Sequence, residues 1–530
     1  MKRTLSLLLL LTMLVGTVGI FSACPGGPGG GGGGGAGVDV EFIDHLDEYG
    51  HSMDFSAMDE FVISFFDLYS YEVYGEEKSN EKLDTLIYNR NKLLEQRFGA
   101  KISKQGGIQS TGANDLTSHY NYVQSQLNSG DVPFDAIAMY AYNAGKLILG
   151  NGGNFLDWRS EVPYCSDSIK KGEEWWPSEI NRDSTVMGRQ FVAVSDFCIT
   201  AMEMTYTVIF NKDLAKSENV AYTIDPDKYT TSSTLYDVVR GNDWTLETMK
   251  TVVGGFYRNS TTSGNISGRD VEDRFGLVAA GGTDADAWAY AFAYNYVEND
   301  GVAAPELWAW DGSQFDVITS LRELYGSTGT WSNTVGTATD DYNARAAFFA
   351  QEDHVLFQLN TLESLKWDVI HNMEQDFGVL PYPKYTRDQA KFMTGTLDHY
   401  TTLAVPYTTG WDEDRLRMTG AFIEALSAEN CNSVKDPYYD DIVTHHNVTD
   451  GDSVEMINLI MDGRVYDLGV YHYNELMLDT TDDSNGAFAL FFRYLIQKDQ
   501  QDIVQYWQSN SGVLQGRLDG LLGQYADILG

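Results

Sequence analysis

The run Phe61-Val62-Ile63-Ser64-Phe65-Phe66 is apolar apart from one serine and has the length of a strand, so it belongs in a sheet covered on both faces. The next segments narrow the choice of fold. A helical stretch over 81–98 sets Leu83, Leu86, Ile87, Leu94 and Phe98 on one face, with Gly99 placed to end it. A short strand is expected over 100–104, a second helix near 116–127, and a third strand over Phe134-Asp135-Ala136-Ile137-Ala138-Met139. Strand and helix alternating in this way predict an α/β fold with a parallel sheet and right-handed crossovers. Ligands of such sheets sit outside the carboxyl ends of the strands, which puts Tyr140, Tyr142 and Asn143 beside a crevice. Aromatic packing at the base of a loop is the competing reading of the two tyrosines.

Disorder is excluded for most of the 530 residues, because 25 Phe, 32 Tyr and 11 Trp supply large areas to bury. A chain of this length suggests two or three packed units. The formal net charge is −40 and no lysine and arginine cluster occurs, so no nucleic-acid partner is expected. The four cysteines are Cys24, Cys165, Cys198 and Cys431, with no Cys-x-x-Cys spacing. A bridge between Cys165 and Cys198 is open to an oxidising compartment, but three widely spaced thiols do not make a disulfide framework.

The N-terminus carries an address. Lys2 and Arg3 precede an apolar run over 5–21 that is interrupted by Ser6, Thr12, Gly16 and Gly19, as suits a cleavable signal rather than a permanent span. Phe21-Ser22-Ala23-Cys24 resembles the lipobox of bacterial lipoproteins, in which the cysteine is lipidated, although Phe21 stands where leucine is usual. Residues 1–24 thus read as a lipoprotein signal peptide with Cys24 as the lipidation site, against the competing reading of an ordinary secretory signal. Residues 25–58 read as a glycine-rich tether and lead-in, of which 25–37 would span roughly 20 Å as a flexible coil. No later stretch has the roughly 18 uninterrupted apolar residues of a membrane helix. The body is expected at the extracytoplasmic face of the bacterial membrane, held by lipid alone.

Further along, Phe191-Val192-Ala193-Val194-Ser195-Asp196 is followed by Thr205-Tyr206-Thr207-Val208-Ile209-Phe210-Asn211-Lys212-Asp213-Leu214. Asp243-Trp244-Thr245-Leu246-Glu247-Thr248-Met249, Asp273-Arg274-Phe275-Gly276-Leu277 and Phe377-Gly378-Val379-Leu380-Pro381-Tyr382-Pro383-Lys384 come after them in order. This succession resembles the family 1 extracellular solute-binding proteins, the carbohydrate-binding lipoproteins of ABC importers, from about residue 61 to the C-terminus. The resemblance implies a type II periplasmic-binding-protein-like fold, with two parallel-sheet lobes joined by hinge crossings. One lobe would take 59–204 and 400–458, the other 205–399 and 459–530 with C-terminal helices. A carbohydrate ligand, permease subunits as partners, a monomer and no cofactor follow from the same resemblance. The residues themselves place Thr245 as a helix N-cap and require a strand end or a sheet edge at Pro381 and Pro383.

Sugar sites pair flat rings with hydrogen-bonding groups. Besides Tyr140, Tyr142 and Asn143, the candidates are Trp175, Trp176 and Asp196 near the first crossing, Asp284 and Trp288 in the second lobe, and Asn360 and Glu363 in the segment that the resemblance implies ends a strand at the cleft floor. His399 and Tyr400 belong to the second crossing, near 396–406. Core packing competes for Trp288 and loop packing for Trp175 and Trp176, while Trp308 and Trp310 read as structural. No metal site is expected: His445-His446 lacks a third ligand, and Asn265, Asp270 and Asp273 lack calcium-loop spacing. The rival functions are an anchored glycoside hydrolase, for which no local motif speaks, and a glycan-sensing or lectin-like surface protein, for which no all-β pattern or repeat speaks.

Overall fold

The computed structural model describes residues 58–77, 79, 81–103, 116–130, 132–150, 154–259, 273–280, 282–332, 342–408, 413–439, 451–478 and 487–529. The signal, Cys24, the glycine-rich segment, His445, His446, Asn265 and Asp270 lie outside them. Two sheets organise the chain.

The first sheet is built from β1 (Glu60–Phe65), β2 (Lys101–Ser103), β3 (Ala136–Tyr140) and β9 (Thr401–Ala404), in the order β9-β3-β1-β2. β1 lies parallel to both β2 and β3, as the alternation of elements predicts, and every residue of β1 after Glu60 is buried. The linking helices are α1 (Lys82–Phe98) and α2 (Leu116–Ser129). α1 ends at Gly99, whose φ of 71° is the left-handed conformation that glycine adopts without strain, and whose N–H donates to the Glu95 carbonyl at 2.9 Å. β9 joins the edge antiparallel to β3 from far along the chain. α5 (Glu413–Glu429) then returns to this sheet, where Phe422 stacks on Phe61 of β1 at 4.8 Å.

The second sheet contains β4 (Tyr206–Asn211), β5 (Phe275–Ala279), β6 (Thr330–Ser332), β7 (Val355–Thr361) and β8 (Phe377–Leu380), in the order β8-β4-β7-β5-β6. β5 runs parallel to β6 and β7, while β4 is antiparallel to β7 and β8. β8 stops immediately before Pro381, which has no N–H to continue the ladder. Two helices on this lobe, α3 (Leu235–Arg240) and α4 (Leu246–Phe256), carry threonine caps. At α4 the Thr245 hydroxyl accepts the Thr248 N–H at 3.3 Å, and the buried indole of Trp244 donates to the Pro381 carbonyl at 2.8 Å. α6 (Gly451–Asp462) packs beside β8, with Ser453 and Tyr236 of α3 sharing a hydrogen bond at 2.8 Å. The division expected between 458 and 459 falls inside this helix.

Two of the passages of chain that connect the sheets are stitched to each other. Ala193 pairs with Leu403 and Thr205 with Thr396. The segment 191–196 joins the ladder only at Ala193, because its neighbouring N–H groups are taken elsewhere: Val194 donates to the Asn181 side chain at 3.2 Å and Asp196 to the Trp175 carbonyl at 2.9 Å. Glu72 clamps both passages: its carboxyl accepts the Thr200 N–H and hydroxyl at 2.7 Å each, and the Thr401 hydroxyl. Burial pushes the Glu72 carboxyl up to about 7 against the pull of those hydrogen bonds. Nearby, Glu203 accepts from Lys366 at 2.7 Å, from Tyr71 at 2.5 Å and from Tyr438, so groups from both lobes meet on one carboxylate.

Cys165 and Cys198 do not form a bridge; both are buried free thiols, as is Cys431, and Cys165 donates instead to the Gly420 carbonyl at 3.4 Å. Trp308 is buried against Tyr296, Phe488 and Trp507, in keeping with its structural reading.

Candidate functional site

At the carboxyl end of β3 the chain turns through Ala141–Asn143, bringing the rings of Tyr140 and Tyr142 out beside the second crossing. Tyr140 lies parallel to Tyr69 at 6.0 Å and meets the imidazole of His399 at 5.3 Å. Tyr142 contacts the ring of Tyr473 at 5.2 Å. From the other lobe, the turn after β5 presents Thr283 and Asp286, and α7 (Phe491–Gln497) presents Arg493. Arg493 Nε donates to Asp286 Oδ1 at 2.8 Å, and its terminal N–H donates to Oδ2, giving a forked ion pair. The floor is the crossing itself, Thr396 to His399. These groups enclose a cavity of about 260 Å³ between the two sheets.

The electrostatics of the cavity centre on that pair. Burial drives the Asp286 carboxyl up to about 7, opposed by Arg493 and reinforced by Asp398 and Asp284. Burial works against the Arg493 charge too, but Asp286 outweighs it and holds the guanidinium above its ordinary range. Asp398, on the floor, has only the His399 ring within ion-pair distance, at 3.5 Å, among the described residues.

No family model matches the chain, and no curated protein matches it in sequence. Solved structures do match in shape. A cyclic α-maltosyl-1,6-maltose binding protein from Arthrobacter globiformis aligns over 87% of this chain and 100% of its own, at 11% identity and a TM-score of 0.52. The GacH receptor of Streptomyces glaucescens, solved unliganded and with acarbose, aligns over 87% and 99%, at 12% identity and 0.50. A cyclo/maltodextrin-binding protein complexed with maltotetraose aligns over 87% and 97%, at 9% identity and 0.50. The fold is that of the two-lobed periplasmic binding proteins.

Within that two-lobed binding-protein fold, the structure gathers Tyr140, Tyr142 and His399 at the cavity and leaves the other sequence candidates elsewhere. Trp175 and Trp176 both donate their indole N–H to the buried carboxyl of Glu424 on α5, at 2.9 and 2.8 Å, so they serve the interior of the first lobe. Asp196 pairs with Lys435 at 2.7 Å and lines a separate cavity behind the crossings. Asp284 is buried against Arg345 at 2.8 Å. Trp288 is core, donating to the Tyr325 hydroxyl at 3.1 Å and packing edge-on to Tyr382. Asn360 is buried in β7 opposite Thr207, and Asn143 is buried in its turn. Glu363 lies 3.8 Å from Lys366, outside the cavity lining, and Tyr400 is buried against Tyr466 and Tyr471.

Among the cavity's other groups, Asp286, Tyr290, Tyr473 and Arg493 were not among the sequence candidates. A signal for one of them was present. Arg493 stands alone in the apolar run Phe488 to Ile496, and a charge in such a helix needs a buried partner.

Proposed function

We propose that this chain is the lipid-anchored, extracytoplasmic binding protein of an ABC importer, capturing a sugar or short oligosaccharide between its lobes and delivering it to a membrane permease. The observation that carries this reading is the interlobe cavity, which sets the rings of Tyr140, Tyr142 and Tyr473 opposite the hydrogen-bonding groups of the second lobe and the crossing. A pyranose offers an apolar C–H face to rings and a belt of hydroxyls to charged and polar groups, and this cavity supplies both. The sugar and acarbose complexes of proteins with this fold support the same class of ligand. Closure follows from differential contact: a ligand touching both lobes stabilises the conformation in which both reach it, and the permease reads that shape.

A hydrolase would need a carboxyl pair free to exchange protons. Asp286 is clasped by Arg493, which leaves Asp398 without a second free carboxyl among the cavity-lining residues and favours binding over cleavage.

The test is thermal unfolding of the purified protein against a panel of mono- and oligosaccharides, each mixture then examined for cleavage products. Ligand at a hundredfold over its dissociation constant is expected to stabilise the fold by about 2.7 kcal/mol and to be recovered intact. Recovery of shortened glycan would overturn the reading in favour of a hydrolase.

A further inference from the structure

We propose that the interlobe cavity selects a small saccharide bearing a free amino group, with Asp398 receiving the ammonium and the Tyr290 hydroxyl receiving a ring hydroxyl. This rests on the sugar-binding reading and deepens it.

The charges facing the cavity do not balance. Arg493 makes two hydrogen bonds to Asp286 and acts on Asp398 only through space, so two carboxyl groups share one guanidinium. Asp398 sits on the floor with its carboxylate one-fifth exposed, and among the described residues it accepts no hydrogen bond and has only His399 nearby, at 3.5 Å. Among those residues no further cation lines the cavity. Burial raises the tyrosines at 290 and 473 and the Asp286 carboxyl, and the charge of Asp398 adds to each rise. When a ligand displaces water from such a site, the carboxylate loses its hydration, and a neutral sugar returns only a hydroxyl hydrogen bond with no opposing charge. An ammonium replaces the lost hydration with a charge-assisted hydrogen bond. The surrounding tyrosine rings favour a cation for the same reason, through their negative faces. A uronic acid would meet Asp398 as a like charge.

The second observation is independent of charge. Tyr290 is 3% exposed, lines the cavity, and its hydroxyl has no hydrogen-bond partner among the described residues. A buried hydroxyl left without a partner costs stability unless something occupies it. The fold goes out of its way to place this ring: a Cβ on residue 395 would come within 2.3 Å of it, so only Gly395 lets the second crossing pass. Burial keeps the phenol protonated, able both to donate to and accept from a sugar hydroxyl. At about 260 Å³ the cavity falls below the roughly 300–1,000 Å³ of sites for drug-sized ligands, which suits one or two rings.

The experiment is titration calorimetry of the full chain in neutral buffer with glucosamine, glucose, glucuronate and ethanolamine, together with the disaccharides of glucosamine and of glucose. The amino sugars are expected to bind at least about tenfold more tightly than their neutral counterparts, with glucuronate weakest. Asp398→Asn should abolish the amino-sugar preference, bringing the affinities for glucosamine and glucose to within about twofold of each other, and Asp398→Ser serves if the first variant melts early. Tyr290→Phe should weaken both classes alike. Neutral sugars binding as well as amino sugars, or a preference that survives loss of Asp398, would overturn this inference and leave sugar binding standing. Ethanolamine binding as tightly as glucosamine would overturn the saccharide part. No heat from any sugar would overturn it together with the reading on which it rests.

Discussion

His119 on α2 is fully enclosed, its Nε2 2.9 Å from the Ser64 hydroxyl of β1. Burial alone drives its imidazole down from 6.5 to about 3. The unfolded chain therefore takes up a proton as pH falls through 6.5, whereas the folded chain does not do so until about 3. Stability from this group is intact above 6.5 and is lost across that window, at up to about 1.4 kcal/mol per pH unit. Chemical denaturation of the wild type and of His119→Gln at a series of pH values should show the wild type losing ground as acid is added; parallel curves would mean that His119 titrates normally. At this scale little of the site was legible. Trp175, Trp176 and Trp288 carry the ring a sugar site wants, but an indole buried with its N–H on Glu424 or Tyr325 has the same sequence signature as one facing a cleft. Which way a ring faces is decided by partners far away along the chain.

Elements were more legible than residues, because periodicity and capping are local. β1, α1 with its Gly99 stop, β3, the Thr245 cap and the end of β8 at Pro381 all stand where the pattern puts them. What pattern does not reveal is how the crossings are held, since Glu72 and Glu203 look like any other carboxylates in a chain with 76 of them. Glu203 is fully buried and collects donors from Tyr71, Tyr438 and Lys366, the last just beyond the end of the second-lobe strand β7. Lys366→Met removes the one cation paired with it among the described residues. The variant is expected to lose about 1.5–3 kcal/mol of stability, read as a lower denaturation midpoint, and to change sugar affinity because one link between lobe and hinge is gone. A midpoint unchanged from the wild type would show that Lys366 adds nothing to the clamp.

For the molecule as a whole, the proposed anchor makes a prediction separable from the cavity. Cys24→Ser should move the protein from the membrane fraction of the producing bacterium to the medium or periplasm, while leaving its melting temperature and sugar binding unaltered; retention in the membrane would argue for attachment by other means. The described residues contain no helix long and apolar enough to cross a membrane. The strand and helix order was enough to expect an α/β fold with a parallel sheet, because hydrophobic runs and their crossovers admit few arrangements, whereas the two lobes were implied by the resemblance to solute-binding proteins.

The pairing of β9 with β3 has a consequence in time. Thr402 donates to the Met139 carbonyl across 263 residues of chain. At ribosomal speeds of about 5–20 residues per second, the edge of the first sheet waits roughly 13–50 s for the strand that completes it. The first lobe does not close its sheet early in synthesis, and a chain exported as proposed gains from its own topology an interval in which to thread a translocation pore unfolded.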